Sequence, residues 1–416
     1  MSAGRRPRGA RDDRPHADDH DGHRTDCPAT GDHEGRPYLW CYNLRSMATI
    51  AIDATYTVDP QPSGISVYSR RLIESLAGLD CPHHFLICYR LSRFRQRKQF
   101  LRLPARSHPG SPSFSTRLFQ EGLTVWLPWQ AKLFHSLAQR PPAFRFGREV
   151  VTVHDVFPIT GADYSTPGFL KKFSDLLLQA AGRASLIISP SHYTAEQLTR
   201  VANTPREKIR VIPEGVDFPD RILIGADKLA ARERWVGKGN HLVLVVGVIQ
   251  ARKNTLGAVR ALERMPANYR LVMAGGDGHG AERVHDYIHR AGLSGRVRRL
   301  GHVSRQELSN LYQSAEVMLF PSFEEGFGLP VLEAMASGLP VVAARTSSLP
   351  EVGGDAAVYV DPYDEKDICE QVVRVAEDDA WRQTLVRRGL ERARQFTWHR
   401  AAVETLRVYE EALAMG

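Results

Sequence analysis

The chain contains 416 residues, 43% of them hydrophobic, and carries a net charge of +8, so it is long enough for two domains and its charge favours anionic partners such as nucleotides or acidic lipid surfaces. The five cysteines are scattered and lack metal-site spacing, which predicts reduced thiols in a cytoplasmic protein without a disulfide framework. The longest apolar run, LVLVVGVI from Leu242, is too short to span a bilayer, so any membrane contact is expected to be peripheral.

Residues 1–46 are rich in Arg, Asp, His, Gly and Pro and lack apolar periodicity, which predicts a disordered tail. The folded chain is expected to begin at Met47, and this methionine is an alternative start if the tail is an over-extended reading frame. Histidines in such a tail would be flexible ligands that bind a metal ion weakly and without selectivity. No metal site is therefore predicted.

From residue 48 onward, strand and helix patterns alternate, and the same series occurs twice. The first series of predicted strands is TIAID, HFLICY, KLFHS, EVVTVHD, ASLIISPS and KIRVIPE. The second series is HLVLVVGVI, YRLVMAGG, RVRRLGHV, EVMLFPS, LPVVAAR and AAVYVD. Two sets of six strands predict an α/β protein with two doubly wound, Rossmann-like domains, whose shared cleft faces the carboxyl ends of both sheets.

The domain boundary is predicted at IPEGVD, residues 212–217, where a strand ends in proline and glycine. Such residues end regular structure and favour a linker. This gives an N-terminal domain over residues 47–215 and a C-terminal domain over residues 216–396. Residues 397–416 form a final helix with an apolar stripe, which must pack on another element and is expected to return to the N-terminal domain.

The segment after the first strand, ATYTVDPQPSGISVYSRRL, contains one glycine before its helix. A dinucleotide-binding domain has three glycines at fixed spacing there, so nicotinamide and flavin chemistry is not predicted. Gly64 immediately precedes the helix that is expected to begin near Ile65, where a missing side chain lets a phosphate or a sugar approach the backbone closely. A plain turn glycine is the alternative interpretation.

Two later strands end in charged residues that the topology directs towards the cleft. The strand EVVTVHD ends in His154 and Asp155, and the strand in VGVIQARKNT is followed by Arg252 and Lys253. Cations are disfavoured at the start of a helix, so a merely solvated pair is electrostatically odd there. Arginine can clamp phosphate oxygens with two hydrogen bonds and lysine adds a point charge. The pair could therefore neutralise a diphosphate without a metal ion.

The stretch PSFEEGFGLPVLEAMASGLPVV places two glutamates on either side of a glycine turn. Its pattern predicts strand, turn, helix and strand, with the helix over residues 330–337, Pro330 at its first position and Gly338 in the left-handed conformation just past its end. The start of such a helix offers free N–H groups and a partial positive charge. A phosphate is expected to fit beside Phe327, Gly328 and Leu329.

These motifs together resemble glycosyltransferase family 4, the retaining enzymes with the GT-B fold of two facing Rossmann-like domains. The resemblance runs from about Ala48 to Leu413, and its most specific element is Glu325, seven intervening residues and Glu333. Supporting motifs are VTVHD, SPSHYTAEQL, KIRVIPEGVD, VGVIQARKN and TSSLPEVGGDAAVYVDP. They are similar to the mannosyltransferase-like branch that serves polysaccharide assembly.

The resemblance implies which residues take part in catalysis. Glu325 would lie next to the donor sugar and the transfer centre, Lys253 would bind phosphate, and His154 would approach the donor sugar and the diphosphate. Arg252 departs from the common pattern, because many members place the arginine directly after the strand glycine, where this chain has Val248. Glu325 as a surface partner of Glu324 remains an alternative, as does a purely structural histidine.

The resemblance also implies a donor-binding set. Glu333 would accept hydrogen bonds from ribose hydroxyls, although it could instead complement the helix dipole. Val303 falls where the family packs its nucleobase, but an apolar residue at a strand end is also ordinary core. The expected donor-binding residues are Gly64, Asp155, Val303, Gly326, Phe327, Gly328, Leu329 and Glu333.

The implied function is transfer of a mannose-like hexose from a nucleoside-diphosphate sugar to a saccharide or lipid-linked saccharide, with retention of configuration and without a metal or other cofactor. GDP-mannose is favoured as the donor, and a UDP sugar remains open. The alternatives are an inactive GT-B scaffold subunit of a polysaccharide complex and a sugar-nucleotide epimerase of the same fold. Nucleic acid is not an expected partner, because aromatic residues are not interleaved with the cations on a recognisable module.

The segment YRLSRFRQRKQFLRLPARSHPG, residues 89–110, mixes cations with Phe94, Phe100, Leu101 and Leu103. A basic amphipathic segment of this kind can lie on an anionic membrane that carries a lipid-linked acceptor. A solvated loop is the alternative. The expected location is the cytoplasm, with peripheral contact at the inner face of the plasma membrane if the first interpretation holds.

Overall fold

The computed structural model describes residues 47–59, 63–108, 110–161 and 163–415. The tail predicted over residues 1–46 lies outside the described residues. Residues from Met47 onward form one compact unit built on two sheets. We call the part that contains the first sheet the first half and the part that contains the second sheet the second half.

The first sheet has seven parallel strands in the order β3-β2-β1-β4-β5-β6-β7. Their bounds are β1 Thr49–Asp53, β2 His84–Arg90, β3 Ser113–Phe119, β4 Leu133–Ser136, β5 Glu149–Thr152, β6 Leu186–Ser189 and β7 Ile209–Val211. The prediction of six strands was wrong for this sheet, because it missed β3. The sequence SFSTRLF is polar and partly exposed along the sheet edge, so it lacks the apolar run of a buried strand.

Helices cover the first sheet and connect its strands. Their bounds are α1 Gly64–Leu76, α2 Leu127–Gln130, α3 Phe157–Thr160, α4 Pro167–Arg183 and α5 His192–Ala202. Short 3₁₀ helices span Thr55–Val58, Leu91–Gln99 and Arg206–Lys208. Apolar residues of β1, β2 and α1 are fully buried together, as expected for parallel strands that are covered on both faces.

The second sheet has six parallel strands in the order β10-β9-β8-β11-β12-β13. Their bounds are β8 His241–Val246, β9 Tyr269–Ala274, β10 Val297–Gly301, β11 Val317–Phe320, β12 Val341–Ala344 and β13 Ala357–Val360. Each lies within a predicted strand of the second series. The sequence predicts this sheet better because most of its strands are buried apolar runs.

Nine helices belong to the described residues after β7. Their bounds are α6 Gly225–Val236, α7 Thr255–Arg264, α8 Ala281–Arg290, α9 Arg305–Ser314, α10 Leu329–Ala336, α11 Leu349–Gly353, α12 Glu365–Glu377, α13 Asp379–Ala393 and α14 Trp398–Ala414. Further 3₁₀ helices span Ala251–Lys253, Leu293–Gly295 and Gly354–Ala356. Within the described residues, every helix falls short of the combined length and apolarity that crossing a bilayer requires.

The last helix, α14, packs on the first half although it follows the second sheet in the chain. Trp398, Ala402, Leu406 and Tyr409 are buried in the same core as residues of β1 and α1. The start of α14 passes close to the linker at Gly215. A Cβ added to Gly215 would lie 2.3 Å from the Trp398 backbone nitrogen. The chain passes between the halves twice, at the linker and again just before α14, and these two segments are therefore in contact. Gly215 has no room for a side chain.

A chain of buried hydrogen bonds joins four elements of the first half. Tyr409 Oη on α14 lies 2.7 Å from His135 Nδ1 on β4, and His135 Nε2 lies 2.9 Å from Thr152 Oγ1 on β5. Thr152 Oγ1 also lies 3.0 Å from Tyr68 Oη on α1. Burial lowers the pKa of His135 to about 3, so its imidazole is neutral. No local sequence pattern indicates this network.

We expect Gly215→Ala to lower the free energy of unfolding by at least about 2 kcal/mol, because the new methyl group would overlap backbone rather than a flexible side chain. Gly182→Ala is the matched control, since Gly182 lies in α4 with nothing near its Cβ position, and alanine there should stabilise by roughly 0.5–1 kcal/mol. Urea unfolding measures both. Equal stability of the Gly215→Ala variant and the unchanged protein would contradict the tight crossing.

Candidate active site

The strand ends predicted to face the cleft meet at the boundary between the two halves. His154 and Asp155 follow β5, the 3₁₀ helix with Arg252 and Lys253 follows β8, and the Glu325 loop follows β11. Because all three strands are parallel within their sheets, these residues leave the carboxyl ends. The contacts described next bring residues of both halves together.

Two cations share the buried carboxylate of Glu325. Lys253 Nζ lies 2.5 Å from Glu325 Oε1, and Arg252 Nη1 lies 3.2 Å from Glu325 Oε2. Only 7% of the Glu325 side chain is exposed. Burial alone would raise the pKa of Glu325, but the charges of Lys253 and Arg252 hold that pKa below its ordinary value. The carboxylate is therefore ionised, and the cluster has an excess of positive charge.

Arg252 also connects the second half with the first. Its Nη1 donates to the Glu324 carbonyl oxygen at 2.6 Å, and its guanidinium lies 4.8 Å from the centre of the Phe157 ring at the start of α3. Its Nε is buried and has no hydrogen-bond acceptor among the described residues. Arg252 thus has a polar atom to offer to a bound anion, as a buried donor without a partner is costly.

The loop after β11 touches the first half through the backbone of Gly326. A Cβ at this position would lie 1.8 Å from the carbonyl oxygen of His154. The Gly326 carbonyl oxygen accepts hydrogen bonds from Ser191 Oγ at 2.6 Å and from Thr194 Oγ1 at 3.0 Å. At Gly326 the backbone of the second half therefore lies directly against the first half, and a side chain there would force the two apart.

A second polar contact crosses the same boundary. The Glu351 carboxylate on α11 accepts a hydrogen bond from the backbone N–H of His192 at 2.9 Å, at the start of α5. Acidic groups are favoured at helix N-termini. Ser191 and Thr194 belong to the motif SPSHYTAEQL, and Glu351 belongs to the motif TSSLPEVGGDAAVYVDP. No local pattern indicates these contacts, because their partners lie in the other half of the chain.

The glycine turn before α10 is held by serine side chains. Ser348 Oγ donates to the carbonyl oxygens of Phe327 at 2.7 Å and Glu325 at 2.9 Å. Gly328 has a φ of 109°, which favours glycine. At the start of α10, Val331 N–H donates to the Gly328 carbonyl oxygen at 2.9 Å and Pro330 has no N–H, so Gly328 and Leu329 are the residues whose amides could serve a ligand. This arrangement suits an anion at the helix start.

Helix α10 begins at Leu329 and ends at Ala336, one residue earlier than predicted at each end. Pro330 therefore occupies the second helical position and not the first, where its missing N–H is equally harmless. Gly338 has a φ of 68°, which agrees with its predicted left-handed conformation past the helix end. The turn and the helix direction are as the sequence predicts.

Glu333 lies one turn into α10 and is partly buried. Its Oε2 accepts a hydrogen bond from Tyr312 Oη at 2.8 Å. Burial raises the pKa of Glu333 to about 7, despite the opposing hydrogen bond from Tyr312. Its carboxyl group therefore changes charge near neutral pH. Tyr312, on α9, is a neighbour of this site that the sequence did not reveal.

His154 is buried beside the same boundary, with 8% of its surface exposed. Its Nδ1 lies 3.2 Å from Glu214 Oε1, and its Nε2 lies 2.9 Å from the Leu137 carbonyl oxygen. Asp155 is half-buried, and burial raises its pKa although Arg252 acts in the opposite direction. Glu214 falls within the linker predicted at residues 212–217.

Two predicted donor-binding residues lie apart from this cluster. Gly64 is exposed at the start of α1, and nothing lies within 4 Å of its Cβ position. Val67, one turn further along α1, packs against the cores of both halves, so the start of α1 lies at the boundary. Val303 is partly buried and packs against the core of the second sheet. No described contact joins Gly64 or Val303 to Glu325.

Two family descriptions match most of the described chain. Residues 62–218 match the family described as Glycosyltransferase Family 4, and residues 228–392 match Glycosyl transferases group 1. O-antigen chain mannosyltransferase B of Escherichia coli is 31% identical over 270 residues, which cover 64% of this chain and 71% of that protein. This chain belongs to glycosyltransferase family 4. O-antigen chain mannosyltransferase RfbU of Salmonella typhimurium is 29% identical, covering 52% of this chain and 58% of that protein.

Solved glycosyltransferase structures show the fold of this family 4 member. Sucrose-phosphate synthase from Thermosynechococcus elongatus has a TM-score of 0.67 and 21% identity, and the match covers 89% of this chain and 100% of that one. Anabaena HepE in complex with UDP and glucose has a TM-score of 0.67 and 18% identity, covering 88% of this chain and 100% of that one. The two Rossmann-like sheets thus form a GT-B glycosyltransferase.

The raised pKa of Glu333 predicts a pH-dependent stability for this glycosyltransferase. Folding favours the neutral carboxyl, so its stabilising contribution is full below the ordinary pKa of 4.5 and is lost as the pH rises through about 7. Glu333→Gln keeps an acceptor for Tyr312 without the charge. We expect the variant to gain up to about 3 kcal/mol in free energy of unfolding relative to the unchanged protein between pH 5 and 8.

Urea unfolding across this pH range makes the comparison. Glu307→Gln is the control, because hydrogen bonds from Ser304 lower the pKa of this exposed glutamate, so its contribution is already complete above pH 5. The free energy of unfolding of Glu307→Gln should differ from that of the unchanged protein by the same amount at every pH in this range. A pH-independent difference for Glu333→Gln would mean that Glu333 titrates normally.

Proposed function

We propose that this glycosyltransferase moves a mannose-like hexose from a nucleoside-diphosphate sugar to a saccharide or lipid-linked saccharide, with retention of configuration and without a metal cofactor. The observation that carries the proposal is the convergence of Arg252 and Lys253 on Glu325 at the buried boundary between the halves. Two cations, a glycine turn and a helix start together fit a diphosphate. Within the described residues, no group of three or more His, Cys, Asp or Glu side chains is placed to hold a metal ion.

The names of the relatives support the choice of sugar. Two of the matched proteins are O-antigen chain mannosyltransferases, which favours mannose and a polysaccharide acceptor for this chain. HepE was solved with UDP-glucose, so the same fold accommodates a uridine nucleotide. We therefore propose GDP-mannose as the first donor to test and a UDP hexose as the second.

The chemistry follows from the charge that the leaving group acquires. When the bond between the anomeric carbon and the diphosphate oxygen breaks, that oxygen takes the electron pair. Arg252, Lys253 and the amides beside Gly328 would stabilise this charge, each by roughly 2–4 kcal/mol in the transition state. The acceptor hydroxyl attacks the anomeric carbon on the face that the diphosphate leaves, and its proton passes to a phosphate oxygen. No side-chain nucleophile takes part.

The remaining residues bind and orient the donor. Glu325 lies beside the sugar and keeps the two cations in place, since it contacts both of them. Glu333 accepts hydrogen bonds from the ribose hydroxyls, most strongly in its ionised form. Val303 packs against the base, and Gly64 lets the diphosphate approach the start of α1. Acceptor binding is assigned to the first half.

A panel of sugar nucleotides tests the proposal. Thermal shift would identify the donor, and release of nucleoside diphosphate would be measured with and without a mannose-terminated acceptor. Acceptor-dependent release supports transfer. Conversion of the donor sugar without an acceptor would indicate an epimerase, and binding without turnover, or no binding at all, would indicate a scaffold.

Lys253→Ala is expected to lower turnover at least about a hundredfold, because it removes one of the two charges proposed to stabilise the leaving diphosphate. The matched control is Lys366→Ala, which removes a lysine whose side chain is largely exposed and lies 3.7 Å from Glu370. This control should keep normal turnover. Steady-state kinetics with circular dichroism as a folding check make the comparison, and near-normal turnover of folded Lys253→Ala would remove Lys253 from the mechanism.

The second part of the proposal concerns an anionic membrane. The 3₁₀ helix Leu91–Gln99 has no buried residue and carries four cations. Beside it, residues 123–129 expose several apolar side chains, including Leu123 at 68% and Trp129 at 87%. The two segments follow the neighbouring strands β2 and β3, and an ion pair of 2.7 Å links Arg90 and Glu121, which precede them in the chain. We call them together the basic aromatic rim.

The rim differs from the segment that the sequence suggested. Phe100, Leu101 and Leu103 pack against the first core, and the Phe100 ring stacks on Tyr89. They are therefore unavailable for insertion into lipid. Phe94 stays exposed as the sequence suggests, at 46%, and further exposed apolar groups come from residues 123–129, which the sequence did not single out. Tryptophan at a membrane interface and nearby cations suit an anionic lipid surface.

We expect the protein to sediment with phosphatidylglycerol-containing vesicles at low salt and to be released by added salt, since cations attract anionic lipid. Trp126→Ser combined with Trp129→Ser should weaken binding about tenfold or more. The matched control is Ile224→Ser, which removes an exposed apolar residue of the second half and should bind normally. Failure to sediment with anionic vesicles at low salt would rule out the membrane contact.

A further inference from the structure

The two ring nitrogens of His154 are both engaged within the protein. Nε2 points to the Leu137 carbonyl oxygen at 2.9 Å and Nδ1 to Glu214 Oε1 at 3.2 Å. The Tyr68 ring and the His154 imidazole form a T-shaped contact, with ring centres 4.7 Å apart and planes at 85°. The side chain is thus fixed on three sides.

Both hydrogen-bond partners of His154 are acceptors. A carbonyl oxygen carries no proton to donate, and neither does an ionised carboxylate. A neutral imidazole has one N–H group, so one of its nitrogens would direct a lone pair at an oxygen. The imidazolium has two N–H groups and satisfies both contacts. The geometry therefore selects the charged ring.

Glu214 is well placed to compensate that charge, because only 5% of its surface is exposed. Its position is fixed by the crossing of the linker with α14, where Gly215 lies against Trp398 and Val216 N donates to the Phe396 carbonyl oxygen at 3.1 Å. A buried carboxylate in this position would be costly without a cationic partner. The pair is therefore mutually stabilising.

The other charged groups around His154 agree with a cationic ring. Burial alone would lower the pKa of His154, but the hydrogen bond and charge of Glu214, the Leu137 carbonyl and the Asp155 charge raise it above the ordinary value. His135 on β4 is neutral, because burial lowers its pKa to about 3. Tyr68 on α1 has a raised pKa and stays uncharged. Beyond Asp155 lie the cations Arg252 and Lys253 with Glu325.

We propose that Glu214 is a positioning residue that holds His154 as a permanent imidazolium, so that the first half contributes a third cation beside the donor site, paired with Glu214 as Arg252 and Lys253 are paired with Glu325. The catalytic role that this inference gives to the His154 charge rests on the proposed function. An imidazolium cannot take the proton of the acceptor hydroxyl, which leaves that proton to the leaving phosphate. With both nitrogens engaged, His154 acts through its charge and through the backbone contact of its carbonyl with Gly326.

Nuclear magnetic resonance of histidine-labelled protein tests the charge without any sugar nucleotide. The His154 signals are assigned by their loss in His154→Asn, and ¹⁵N shifts report whether one or both ring nitrogens carry a proton. We expect both to be protonated at pH 7.5 in the unchanged protein. In Glu214→Gln the protonation midpoint should fall by at least about one pH unit, and Glu214→Asp should restore most of it. A neutral His154 in the unchanged protein would overturn the proposal.

Turnover gives the second readout once a donor is identified. Glu214→Gln should lower kcat about tenfold or more, with activity falling further as the pH rises and the ring loses its proton, whereas the unchanged protein should show no such step. Asp80→Asn is the matched control, because it removes an exposed carboxylate 3.3 Å from His108, and it should keep normal kcat. A normal kcat in folded Glu214→Gln, as judged by circular dichroism, would refute the catalytic meaning. A missing donor would refute the proposed function while leaving the NMR result intact.

Discussion

The shared carboxylate of Glu325 determines how the rest of the site is arranged. Arg252 and Lys253 follow one another in a 3₁₀ turn, and their side chains reach the same carboxylate because β8 and β11 are neighbouring parallel strands, whose following segments leave the same edge of the sheet. Without Glu325, two buried cations would face each other at a cost of several kcal/mol. Arg252, Lys253 and Glu325 must therefore remain in contact, and the loop that carries Glu325 must keep its conformation.

That loop also joins the two halves. Gly326 meets the His154 backbone, Ser191 and Thr194 hold the Gly326 carbonyl, and Ser348 holds the carbonyls on either side. The residues that order the cation cluster are thus one or two positions from those that contact the first half. A change in how the halves approach would be transmitted directly to the charges at the donor site.

Much of the fold was predictable because parallel strands buried on both faces are apolar runs. The edge strand β3 was missed, since its polar residues face solvent and pairing with β2 does not depend on apolar side chains. The glutamate spacing and the glycine turn located the loop at Glu325, because their geometry is local. Glu214, Ser191 and Glu351 were not predicted, as their partners are 60, 135 and 159 residues away in the chain.

The return of α14 to the first half has a consequence for biosynthesis. Trp398, Leu406 and Tyr409 complete a core whose other members come from the first strands and helix of the chain. Domains commonly fold in order as they leave the ribosome. Here the N-terminal core stays open until α14 has emerged from the ribosome, so we expect nascent chains to depend on chaperones for longer than their two-sheet architecture suggests.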